Sequence, residues 1–236
     1  MENATRPRSD DLREVVWRVL LAAGSGSLVG LLIGGIGGRL VMLVLRLTSD
    51  HAVRGINTDD GFAIGQFTTA TTFLLVVTAG LGAATGIGYL VLRGGLPRSA
   101  RALVWGVFLA LLTGADVLKP GELDFTLLGP KTFSVVSFIL LPGLAAFAIA
   151  LVLERLLVLE PWSDRRLTVV LALAALPLVP VLPVAVLAVL VLLAVRRVPS
   201  LAARMPSIGK VVVPVVLVGL SVRAGIELWR DVNAIL

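Results

Sequence analysis

The stretch VLLAAGSGSLVGLLIGGIGG, residues 19–38, lies between Arg18 and Arg39 and carries no charge. As an α-helix its 20 residues would be about 30 Å long, the thickness of a bilayer's hydrocarbon core. A cleavable signal would have a shorter apolar region and a small-residue cleavage site. The 18 residues before it mix Arg6, Arg8, Arg13 and Arg18 with Glu2, Asp10, Asp11 and Glu14. The stretch therefore reads as a retained membrane span behind a cytoplasmic tail, residues 1–18. After Arg39 the apolar run continues as LVMLVLRL. Arg39 and Arg46 are seven residues apart and share a helical face, as in an amphipathic extension.

The rest of the chain has the same character. Apolar residues make up 57% of the 236, with 24 glycines besides, and charged residues only 15%. A soluble domain carries about 25% charged residues. The mean hydropathy is +0.99. These figures exclude a soluble globular domain and a disordered chain. Further spans are predicted at about 67–92, 102–118, 133–153, 167–195 and 211–229, with Pro142 and Gly143 as kink candidates in the fourth. The fold class is an all-α, polytopic helical bundle of six segments, one transmembrane domain over residues 19–236.

The loops give the orientation. The 48–66 loop is acidic, with Asp50, Asp59 and Asp60 against Arg54, whereas the next loop holds Arg93, Arg98 and Arg101 and no acid. Positive residues collect on the cytoplasmic side, so the N-terminus is placed inside. Of 21 basic residues only Lys119, Lys131 and Lys210 are lysines. That arginine-rich usage suggests a GC-rich bacterial genome and hence a bacterial plasma membrane. The net charge of +6 sits in short loops facing lipid headgroups, so no nucleic-acid partner is expected.

Segment five breaks the charge alternation. One crossing would put Arg196, Arg197, Arg204 and Lys210 outside. The segment has 29 residues, about 43 Å as a straight helix, long for one span and too short for two. It also holds Pro177, Pro180 and Pro183, each lacking a backbone donor. Two readings stand: a proline-kinked crossing, or a re-entrant segment returning to the inner face.

Two patterns carry candidate sites. Gly26, Gly30, Gly34 and Gly38 recur every four residues in span one, and Gly82 and Gly86 in span two. Such spacing gives a small-residue face on which backbones approach closely. Packing between these spans, or against another chain, is expected there. The second pattern is misplaced charge. Arg223 lies near the centre of span six with Glu227 one turn on, a costly position unless it pairs, snorkels or faces the bundle interior. Asp116, near the outer end of span three, is a candidate partner for Arg39.

Chemistry is sparse. There is no cysteine and one histidine, His51, so thiolate ligands and paired-histidine sites are absent. Asp59 and Asp60 beside Gly61 have cation-ligating oxygens, but the spacing and closing Glu of a calcium loop are missing, so a turn is expected. No nucleophile, metalloprotease or phosphate-loop motif occurs. No cofactor is expected, and an enzyme is disfavoured. The leading expectation is a non-catalytic accessory or structural subunit, assembled with itself or a membrane-protein partner through glycine faces. The alternative is a transporter or channel for a small solute or ion using Arg223 and Glu227.

Overall fold

The computed structural model describes residues 8–50, 69–122, 125, 129–177, 182–197 and 199–236. The described residues form helices joined by turns and short irregular stretches, with no strand among them. Four helices are long and apolar enough to cross a membrane: Asp10–Thr48, Thr71–Gly95, Lys131–Leu156 and Gly209–Ile235.

The first is one unbroken rod. Helix α1, Arg8–Val29, passes through a π-helical stretch, Gly30–Gly37, into α2, Gly38–Thr48. Residues 8–18, expected as a tail, are thus its first turns, and Val15 and Trp17 are buried. The extension past Arg39 continues the helix.

Helix α3 is Thr69–Leu92 and ends in a 3-10 turn, Arg93–Gly95. Helix α4 is Arg101–Val117, and α5 is Lys131–Leu156 with Pro142 inside it. The predicted segment five is divided. It forms α6, Arg165–Ala174, and α7, Leu182–Arg197, with residues 178–181 outside the described ones. Helix α8, Pro199–Ile235, contains the last span.

The division has local causes. Asp164 caps α6 by accepting from the backbone N–H groups of Arg166 (2.8 Å) and Leu167 (3.2 Å). Its other end meets the proline run, where missing donors stop the helix. At 10 and 16 residues, α6 and α7 are about 15 and 24 Å long, each short of a bilayer core.

Their contacts fix their course. Before α6, Trp162 donates from Nε1 to the Arg13 carbonyl (3.3 Å), and its ring lies 5.2 Å from that of Trp17. Leu171 reaches Gly24 of α1. Leu192 of α7 is back beside Arg18 and Arg93. Segment five therefore begins and ends at the same end of α1.

The core is built on α1 against α3 and on α4 against α5. Trp17, Leu21, Ile87, Tyr89, Ile149 and Leu153 are buried there. A second cluster, including Leu118, Phe125, Val135 and Leu228, closes the opposite end. Helix α8 packs outside α4, with one side left open.

Candidate functional site

The glycines sort by what they touch. A Cβ on Gly26 would collide with the backbone oxygen of Gly82, and one on Gly86 with that of Ala22. On Gly30 it would lie 2.5 Å from the Thr78 oxygen and 2.8 Å from Gly82 Cα. These four glycines let α1 and α3 meet backbone to backbone.

Gly34 and Gly38 do not continue that contact. A Cβ on either would find ordinary room, 3.5 Å from Thr78 and from Leu141 respectively. The π-helical stretch explains the change. Its wider turn bonds i to i+5, so the buried pair is Gly30 and Gly35, five apart. On Gly35 a Cβ would lie 2.8 Å from both Leu75 Cδ2 and Thr78 Oγ1. Four-residue spacing missed Gly35 for that reason. Gly106 and Gly143 seat α4 on α5; a Cβ on Gly106 would lie 3.0 Å from the Gly143 oxygen. They were not among the expected positions, although Gly106, Ala110 and Gly114 carry the same four-residue spacing.

The misplaced charges meet in one groove. Asp116 of α4 and Lys119 just after it, with Arg223 and Glu227 of α8, line an open groove of about 360 Å³. Arg223 donates from Nε to Glu227 Oε1 at 3.0 Å, an intrahelical pair. Their side chains are 78% and 46% exposed. Arg223 stands some 14 residues from Gly209 and 12 from Ile235, near the middle of that helix. Arg39 is elsewhere. It donates from Nη2 to Thr71 Oγ1 (2.7 Å), so the structure does not bring it to Asp116.

A charged clasp at the other end was not anticipated. Glu154 accepts from Tyr89 OH (2.8 Å), Arg93 Nε (3.0 Å) and Arg93 Nη2 (2.8 Å). Arg101 Nη1 is 3.5 Å away. The clasp ties α3, α4 and α5 together. Its signal was Glu154 itself, the only acid in Lys131–Leu156 and close to the end of the span. Beside it lies a second groove, where Arg98 and Arg101 face Lys210.

Asp59, Asp60 and His51 lie outside the described residues. Among the described residues no three His, Cys, Asp or Glu side chains gather as a metal site. No protein-family model matches the chain, and no curated protein or solved structure matches it.

Proposed function

We propose that this chain is a non-catalytic, multi-span subunit of the bacterial plasma membrane that docks a membrane partner, a foreign protein or a second copy, on the open face of α8. The observation that carries this reading is the Arg223–Glu227 pair, exposed halfway along an apolar helix. Arginine at mid-bilayer costs about 2.5–3.5 kcal/mol on the insertion scale unless protein or water surrounds it. A partner covering the groove supplies both polar contacts and exclusion of lipid. A small residue favours the same face. A Cβ on Gly219, one turn before Arg223, would meet nothing within 4 Å, so a second helix has room to approach there. Gly26, Gly30, Gly82 and Gly86 are occupied within the chain and do not form this interface.

The topology we propose has five crossings, with the N-terminus inside and the C-terminus outside. Helices α6 and α7 form a re-entrant hairpin on the inner side. Such a hairpin puts Lys210 beside Arg98 and Arg101, which removes the conflict with the positive-inside rule. Its irregular backbone is tolerable where protein buries it, and Leu171 is buried against α1.

The test is gentle extraction of the native membrane, followed by sizing and mass spectrometry. A stoichiometric complex is expected for the wild type. Joint replacement Arg223→Leu with Glu227→Leu should release a folded, monomeric chain. A wild-type monomer overturns the reading.

A second reading, a transporter or channel for a small solute or ion, is favoured by one observation: both walls of the α4–α8 groove carry charge. Broken segments and intramembrane charges are features of transport sites. Vesicles containing the pure chain and a chloride-sensitive or pH-sensitive dye separate the two. Flux lost in Arg223→Leu favours transport, and intact, tight vesicles favour the subunit.

A further inference from the structure

We propose that the groove of Arg98, Arg101 and Lys210 binds the phosphate of an anionic phospholipid. The groove, about 850 Å³, lies between the turn after α3 and helix α8, with Leu96, Pro97 and Pro214 as its apolar walls. It holds three cations and no carboxylate. Among the described residues neither Arg98 nor Lys210 has an ion-pair partner. The nearest acid of the clasp, Glu154, is engaged by Arg93 and Tyr89 and reaches Arg101 only at 3.5 Å. Arg101 Nε is buried without a hydrogen-bond partner. Two cations without an ion-pair partner, and a third, Arg101, whose carboxylate is shared with Arg93, form a receptor for a phosphate, which accepts several charge-assisted hydrogen bonds at once.

The surroundings select a lipid over a free anion. Along α8 from Lys210, Val211, Val215 and Val218 are 63%, 65% and 61% exposed. Their spacing sets them on one face of α8, an apolar track for an acyl chain leading away from the cations. The groove's positive charge disfavours a headgroup that carries its own ammonium, so the ligand is a net anion, as inner-leaflet lipids commonly are.

The experiment uses the full chain in neutral detergent and reads thermal stability against dioctanoyl phosphatidylglycerol, dioctanoyl phosphatidylcholine and inorganic phosphate. Half-maximal stabilisation by the glycerol lipid is expected at a concentration at least tenfold below that for the choline lipid. Arg98→Gln with Lys210→Gln should raise that concentration at least tenfold. Arg165→Gln with Arg166→Gln, an equal charge loss at exposed positions outside the groove, should leave it unchanged. If the first pair is unstable, Arg98→Gln alone should give the same shift in smaller measure. Equal response to the two lipids, full stabilisation by inorganic phosphate, or equal shifts in the two double variants would overturn the proposal.

Discussion

Gly82 touches two turns of α1 at once: a Cβ there would collide with the Gly26 oxygen and lie 2.7 Å from Gly30 Cα. Backbone cannot give way as a flexible side chain can. Gly82→Ala should therefore destabilise the chain by about 1–3 kcal/mol, the usual cost of overpacking. Gly38→Ala should be neutral or slightly stabilising, because its Cβ would lie 3.5 Å from Leu141 Cδ2 and alanine is the better helix former by about 1 kcal/mol. Thermal melting of the two purified variants checks both. Equal melting temperatures would mean the two helices do not meet at Gly82. The four-residue spacing was enough to find Gly26, Gly30, Gly82 and Gly86. It could not show that the helix widens at Gly30, since a π turn is a departure from the periodicity being read. At the Gly106–Gly143 contact the same spacing recurs on α4 as Gly106, Ala110 and Gly114, but which helix meets that face is set by tertiary packing.

The divided fifth segment belongs to the scale of elements. Pro177, Pro180 and Pro183 marked a break, and the length of 29 residues fitted neither one straight span nor two. Sequence left two outcomes because both satisfy those constraints. The proposed hairpin is supported by contacts between distant residues: Leu171 on Gly24, and Leu192 beside Arg18 and Arg93. The chain has no cysteine, so single cysteines report sidedness cleanly. With an impermeant maleimide on sealed vesicles, Ser163→Cys and Lys210→Cys should react from one side and Asn233→Cys from the other. Reaction of Lys210→Cys from the opposite side to Ser163→Cys would make segment five a crossing. The first rod is a simpler case. Arg18 and Arg39 bound its uncharged stretch, and they sit near Arg93 and Thr71, at the two ends of α3.

Across the whole molecule, charge is distributed by end. Arg18, Arg93, Arg98, Arg101 and Lys210 come together at the end that also receives Trp162 and Leu192. The opposite end joins Lys131 Nζ to the Ile235 carbonyl (3.2 Å) and Gly129 to Ser49 (2.7 Å). Between them, α8 presents an apolar surface interrupted by one exposed ion pair. The composition announced a membrane bundle, and single residues announced Arg223 and Glu227. That Asp116 and Lys119 share their groove required the packing of α4 on α8, which no local pattern encodes.

The central claim is that another protein covers this face. It is tested most directly by a photo-crosslinking residue placed at Leu220, 41% exposed and lining the groove with Arg223 and Glu227, with a control at Phe73, 66% exposed on α3. In intact cells, Leu220 should give one discrete protein adduct, identifiable by mass, and Phe73 should give none. Lipid adducts alone at both positions would contradict the claim.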